Sequence, residues 1–561
     1  MSIYLVLLVF IGLLSCPSGN AQDNEKILRI GIGQEFDSLN PLGTAMLSAM
    51  YTYNLVARNF VSLDHDMKWH PQLVEKIPSF ENKLAEIKMV GGAKKLISIW
   101  PIRKNAKWGD GQDLTCEDVK FTWIVAQSNF VTVVNRDSYW DIEAVSCDPQ
   151  KPKRVELVHK NIKWDFSRLY QFYILPKHLE EPVFKKFGSK KEGMDRNSHY
   201  VKDPINPGLY SGPYLMAEVK LGSHILLKRN PFFFGKKPYF DKILVQVIAD
   251  TAALEASILS KQIDMISTIG LNMDQALALE KRIVKENLPF EVRYVSGFTY
   301  EHMELKMENP ILSSKKIRKA LVMAIDRKKM AEALFEGKQM VAPHFLSPRD
   351  PWFAKLPSQL KQPLGYSKKG AEKLLEEEGW VLSEDGYRYK GGKKLSVVYS
   401  TTAANRLREN VQTYIADQWK KVGIDTVVKN MPARTFFSEF LTHRKYEGTA
   451  MFSWTFLPQW TPLKFYSSKS IPKESNGWAG RNYPGLDNRR MDELLEQLEL
   501  EMIESKRQKI INEVVEIYTS EHPTIPLYYR VDVSVVPKKL KGYYISGNQQ
   551  LETLFVENWH Y

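Results

Sequence analysis

A chain of 561 residues is longer than one hydrophobic core fills, since single cores stop growing near about 250–300 residues, so two or more lobes are expected. Its 43% hydrophobic and 25% charged content is that of an ordinary globular protein, and the sequence contains neither an internal repeat nor a low-complexity segment. The net charge of +13 reads as a solvated basic surface or as attraction to anionic lipid or an acidic ligand; an apolar leader makes nucleic acid a poor partner.

That leader is the unbroken apolar run 3–14, too short to span a bilayer and of the length of a signal-peptide core. Two exits follow it. Gly19-Asn20-Ala21 offers small residues for cleavage, giving residues 1–21 as signal peptide and a soluble chain from Gln22; Leu13-Leu14-Ser15-Cys16 is also a passable lipobox, which would leave a lipid anchor on Cys16. Leu14 is unusual in such a box, so the soluble form is preferred. Cys16 is lost or lipidated either way, leaving Cys116 and Cys147 as an even pair in a compartment that permits disulfides. Spacing cannot show whether their Cβ atoms face each other, so a bridge and two thiols both stay open.

Beyond the leader, short apolar strands alternate with amphipathic helices, which predicts α/β lobes. Residues 27–33 read as a strand and 44–58 as a helix. Residues 96–103 and 154–159 read as strands flanking a helix over about 115–128, which Thr115 and Asp118 open with the spacing of a capping box. The Lys/Gly-rich stretch 185–196 reads as a solvated loop. Strands follow at 214–220, 223–228 and 242–248, then a hairpin-like pair near 291–306. Helices are predicted over 313–325, 328–335, 367–378, 404–422, 491–500 and 504–521, and two short strands, 524–530 and 532–536, close the chain.

The segment Lys107-Trp-Gly-Asp-Gly-Gln-Asp-Leu-Thr-Cys-Glu-Asp-Val-Lys-Phe121 is the most specific in the chain. It resembles the signature segment of the extracellular solute-binding proteins of family 5, the oligopeptide and dipeptide receptors of ABC importers. Further segments are similar to that family in its own order: Phe36-Asp-Ser-Leu-Asn-Pro41, Pro207–Tyr214, Arg229-Asn-Pro-Phe-Phe-Phe-Gly235, Ile317–Arg327, Tyr366–Trp380, Trp419–Asp425 and His522–Leu527. Most of these residues read as scaffold. Gly212-Pro213 fixes a turn, Asp118 caps a helix, and Arg318 and Asp326 are expected in surface or inter-helix ion pairs.

The resemblance implies a two-lobed periplasmic-binding-protein fold with an additional subdomain. Lobe I would combine 22–66, 190–296 and 525–561; the inserted subdomain would be 67–189 and lobe II 297–524. It implies a periplasmic monomer that captures a small solute, peptide or peptide-like, in the interlobe cleft and hands it to ABC permease subunits, with no cofactor and no covalent chemistry. Within the family a Trp followed by an Asp commonly fixes the ligand's amino terminus. The matching segment is Phe452-Ser-Trp-Thr-Phe-Leu-Pro-Gln-Trp-Thr-Pro462, where Trp454 is in place but Leu457 stands where the Asp is expected. That departure puts a free-amino peptide in doubt and leaves room for a blocked peptide, a sugar or a cell-wall fragment. Trp454, Thr455, Phe456 and Trp460 are the substrate-binding residues proposed there, with Phe298, Tyr300 and His302, entering lobe II, as weaker candidates.

Enzyme and metal motifs are poor. Ser313-Ser-Lys-Lys316 lacks the companion motifs of a penicillin-binding active site and reads as a helix start, and Gly31-Ile-Gly33 lacks the third glycine of a dinucleotide loop. The eleven histidines show no paired helical spacing that would favour a metal. The rival classes are an exported hydrolase or transpeptidase and a ligand sensor of the same fold.

Overall fold

The computed structural model of the protein describes residues 25–561 except positions 37, 45, 170 and 549. The leader over 1–21 and the lipobox cysteine lie outside the described residues. No helix among the described residues is long and apolar enough to cross a membrane.

Ten strands form one continuous sheet. From one edge to the other it runs Asp425–Val428, Ser396–Ser400, Thr449–Thr455, Phe290–Leu305, Thr524–Pro537, Met265–Ile266, Ile27–Ile32, Lys242–Val247, His224–Arg229 and Tyr214–Lys220. Its middle is an antiparallel pair of strands of 16 and 14 residues. At about 3.3 Å per residue each is long enough to serve both halves of the molecule. One end of the pair joins the short strand Met265–Ile266, through Ile266 and Val535, while the other end joins Thr449–Thr455 along 299–305.

Where the halves meet, the register slips. Ser296 pairs with Val531 and Tyr300 with Tyr529, so Gly297, Phe298 and Thr299 stand against Arg530 alone. Such a bulge bends a strand and re-aims its side chains. Gly297 suits it because a Cβ there would sit 3.2 Å from the Arg530 carbonyl oxygen and 3.4 Å from that of Gly547. The hairpin-like pair expected near 291–306 and the two strands expected after 524 are therefore two continuous strands. The breaks in hydrophobic alternation that suggested separate elements are the bulge itself.

Residues 85–159 carry a second sheet of four strands, Ala85–Val90, Ala93–Pro101, Arg154–His159 and Ile142–Cys147 in spatial order. Its core is not separate. Trp100, Val119 and Leu157 belong to the same apolar cluster as Leu28, Ile30, Val245 and Trp559. The helices of 315–420 pack on the opposite half of the large sheet around Leu321, Ile415 and Trp419, and Arg489–Leu500 with Glu504–Glu521 cover a further cluster around Tyr300 and Tyr518.

The signature segment folds as a turn into the helix Cys116–Gln127. The Thr115 backbone amide donates to Asp118 Oδ2 at 2.8 Å, closing the capping box, and Asp118 Oδ1 accepts from the Lys177 amide at 2.9 Å. Gly109 lies where a Cβ would come within 2.3 Å of Leu215 and 2.6 Å of the Pro207 carbonyl oxygen, so no other residue fits. Two of the family-like segments are thus packed on one another. Cys116, at the helix start, is joined to Cys147 in a disulfide with 5.6 Å between Cα atoms.

Other elements depart from expectation in instructive ways. The first helix is Leu47–Val56, shorter than 44–58. Residues 185–196 are not one solvated loop: the helix Lys177–Phe187 runs into them and Gly193–Asn197 makes another turn, because buried Val183 and Met194 pin one face while the lysines stay in water. Arg318, by contrast, makes the inter-helix ion pair expected of it, with Glu521 Oε2 at 3.4 Å. It is buried and donates to the Glu521 carbonyl at the end of the last helix as well as to the carbonyls of Leu312 and Ser313. Asp326 caps the helix Arg327–Phe335 by accepting from the Lys329 amide at 3.0 Å, and its carboxylate also lies 3.9 Å from the Lys329 ammonium in a surface pair.

Candidate ligand-binding cleft

Two adjoining cavities lie at the bulge. The first, of about 390 Å³, is walled by the loop and helix around 41–50, by 133–139 and 171–173 of the inserted segment, by Thr268 and Ile269, and by the C-terminal stretch 547–551. Its floor is the bulge: Phe298, Thr299, Thr455 and Asp532. The second, of about 620 Å³, lies between segments 135–171 and 455–499 and shares Asn135, Gln171 and Thr455 with the first. Both fall within the size range of small-molecule sites, about 300–1,000 Å³. None of residues 107–121 lines either cavity. The signature segment is scaffold.

The residues proposed from sequence divide along the pleat. Thr299 pairs with Thr455 and Tyr300 with Trp454, and successive side chains on a strand point to opposite faces. Thr299 and Thr455 face the cleft, their hydroxyls 3.1 Å apart. Phe298 lines the first cavity beside them, and Trp460 lines the second, as does Leu457. Tyr300 does not reach the cleft: it is fully buried, its hydroxyl bonded to those of Tyr518 at 2.9 Å and Thr524 at 3.2 Å. Phe456 packs inward against Phe345 and Phe465. Trp454 lines neither cavity; it stacks on Tyr483 at 5.9 Å beneath the Arg481 guanidinium, 5.3 Å from its ring. His302 is buried against Tyr300, with Nε2 3.0 Å from Glu304. Of the residues expected at the site, Trp454, Tyr300 and Phe456 line neither cavity, whereas Thr455, Phe298 and Trp460 line one or both.

Sequence reasoning missed the carboxylate of this site. Asp532 stands on the floor of the first cavity and is the one charged side chain among the described residues lining it. It follows Arg530 by two positions and so shares its face. Burial pushes the Asp532 carboxyl up to about 6, while Arg349 and Arg530 pull against that rise. Neither arginine is bonded to it. Arg530 donates to Glu301 at 2.6 and 2.8 Å, and Glu301 also accepts from Arg408 at 2.7 Å; burial opposes the charge on Glu301, but Arg530 and Arg408 together hold it below the usual glutamate range. Arg349 donates to the backbone carbonyls of Ser296 at 3.1 Å, Ser546 at 2.9 Å and His65. The available signal was an acid within the apolar run Val531-Asp-Val533.

The two walls of the second cavity are bridged by polar contacts. Arg168 donates to Gln459 at 2.6 Å, Lys163 lies 3.8 Å from Glu499, and Lys464 pairs with Asp137 at 3.4 Å. Trp164, next to Lys163, makes a further contact between the same segments. Its ring lies 5.9 Å from that of Trp352, with the Arg507 guanidinium 4.2 Å above it and Arg168 at 4.5 Å.

A sheet shared by two halves, a bulge between them and a bridged cleft at that bulge define a two-domain periplasmic-binding-protein fold. The family model for bacterial extracellular solute-binding proteins, family 5 Middle, matches residues 93–475, and the chain belongs to that family. It is 25% identical over 462 residues to the oligopeptide-binding protein AppA of Bacillus subtilis, covering 82% of this chain and 79% of the relative. It is similar to the oligopeptide-binding protein of Thermus thermophilus solved with a pentapeptide, with a TM-score of 0.70 and 26% identity over 95% of this chain and 96% of that one. NikZ of Campylobacter jejuni, solved with Ni(L-His), shares the fold at a TM-score of 0.72 and 21% identity, over 95% of this chain and 99% of that one. The family and these relatives are binding proteins, and the fold alone does not name the cargo.

Proposed function

We propose that this protein is the substrate-binding receptor of an ABC importer, which captures peptides or peptide-like solutes in the cleft and delivers them to membrane permease subunits. The observation that carries this reading is the pair of adjoining cavities at the bulge. Their walls mix apolar groups with the hydroxyls of Thr299 and Thr455 and the amides of Asn135 and Gln171. Such walls can hydrogen-bond a ligand main chain while leaving roomy, forgiving space for its side chains. Membership of family 5 and the names of the relatives support it. We assign lobe I to 22–66, 190–296 and 525–561, the inserted subdomain to 67–189 and lobe II to 297–524, with the bulge as hinge. The mature chain acts as a monomer in the cell envelope, and capture involves no covalent chemistry.

A pool of random pentapeptides tests the reading directly. Binding to the folded state alone raises the melting temperature as ligand exceeds its dissociation constant. A rise in melting temperature together with a fall in the radius of gyration on adding the pool is the expected result; the absence of both, across peptides of two to nine residues, overturns it.

A further inference from the structure

We propose that Asp532 is the receptor's cation anchor, a fixed carboxylate that selects ligands bearing a primary ammonium group. The inference rests on the peptide-receptor reading and adds the ligand chemistry that the reading leaves open. Leu457 lines the second cavity with a side chain that cannot accept a hydrogen bond. A carboxylate stands instead on the floor of the first cavity, on the strand next to Thr299.

Three features make Asp532 an anchor rather than a structural acid. Its side chain makes no hydrogen bond or ion pair with a described residue, and it stands half-buried on the cavity floor. The guanidinium groups that would neutralise it are engaged elsewhere, Arg530 by Glu301 and Arg349 by three backbone carbonyls. Those arginines do not line the cavity, so they oppose the effect of burial on the carboxyl without occupying the space in front of it. A partly buried carboxylate left without a partner is costly, and a ligand ammonium supplies the missing donor. The surrounding groups are neutral donors and acceptors: Thr299, Thr455, Gln171 and Asn548. An ammonium here would keep both its charge partner and its remaining hydrogen bonds.

The shared chemistry is a primary ammonium, whose source is an α-amino terminus or a lysine side chain. Synthetic pentapeptide libraries in three forms separate these sources: free α-amine without lysine, acetylated α-amine without lysine, and acetylated α-amine with one lysine. Each is equilibrated with the intact protein, and retained peptides are quantified by mass spectrometry. Wild type should favour one or both amine-bearing forms over the blocked form by about 10- to 100-fold, and D532N should reduce that preference to within about threefold. D532E should restore part of the preference. Should D532N fail to fold, wild type is read alone: its preference should shrink between pH 7.5 and pH 5 while retention of the blocked form stays constant. The groups facing Asp532 in that range are Arg349, Arg530 and Glu552, of which only Glu552 also titrates there. Equal retention of free and blocked peptides by wild type, or an unchanged preference in D532N, overturns the anchor and leaves the peptide reading standing. Retention of no peptide in any form overturns both.

Discussion

Replacing Trp164 by alanine should open the cleft. Trp164 is 8% exposed, and part of what covers it comes from the far side: Trp352, and Arg507 at 4.2 Å. An aromatic side chain of this size buries about 150–250 Å², worth roughly 4–6 kcal/mol at about 25 cal/mol per Å². That is a ceiling for closure, because part of the ring remains covered by its own segment, including Arg168 at 4.5 Å, when the lobes part. Taking about half of it, and adding about 0.5–1 kcal/mol for the cation–π contact with Arg507, leaves about 3 kcal/mol favouring the closed state. The closing equilibrium should fall about 100-fold in W164A, since about 1.4 kcal/mol is a factor of ten. Solution scattering would read this as a larger radius of gyration at a ligand concentration that closes wild type, and calorimetry as a weaker affinity by about the same factor. An affinity within about threefold of wild type, with unchanged scattering, would refute the idea that Trp164 latches the lobes.

Four further outcomes are expected. E301Q leaves Arg408 and Arg530 without their buried counter-charge and should cost about 3–5 kcal/mol in urea unfolding, a loss seen above the ordinary glutamate range and fading only as pH falls below it, because the native pKa is depressed. Reducing the Cys116–Cys147 bridge, which spans 31 positions, should cost about 3–4 kcal/mol, and mass spectrometry of the unreduced protein should find neither thiol free; two free thiols would contradict it. For a ligand bound through its ammonium group, affinity should fall as pH drops from 7.5 to 5, because the Asp532 carboxyl, raised to about 6, takes up a proton and loses its charge across that window. The same raised pKa means that burial penalises the ionised form, so D532N should be more heat-stable than wild type without ligand at pH 8, with the difference shrinking toward pH 5.

The family and the α/β class were legible because several geometrically demanding segments survive in order. Gly109 permits no side chain, and Thr115 with Asp118 closes a capping box that their spacing alone announces. The helices ending in Leu500 and Glu521 were equally readable, being bounded by Asn488 and His522 and periodic between. What could not be read was the central pair of strands. A bulge interrupts the alternation that marks a strand, so Phe290–Leu305 looked like a hairpin and Thr524–Pro537 like two pieces. The site suffered for the same reason. Deciding between Trp454 and Thr455, or between Tyr300 and Thr299, requires knowing which face of the pleat meets the cleft, and the bulge resets that face. Asp532 was hidden by distance. It lies far beyond Leu457 in sequence, and only the sheet returns it to the cleft.

The central claim is that cargo is held at the bulge floor, beside Thr455. Native mass spectrometry of the protein purified from its own cell envelope, compared with T455W, tests it most directly. Trp454 serves as the internal contrast, since W454A alters a residue that lines neither cavity. The prediction is that wild type and W454A carry an added mass that denaturation releases as peptide or peptide-like solute, and that T455W, with an indole filling the shared wall of both cavities, carries none. Retention of the same cargo by T455W, with its loss in W454A, would contradict the account.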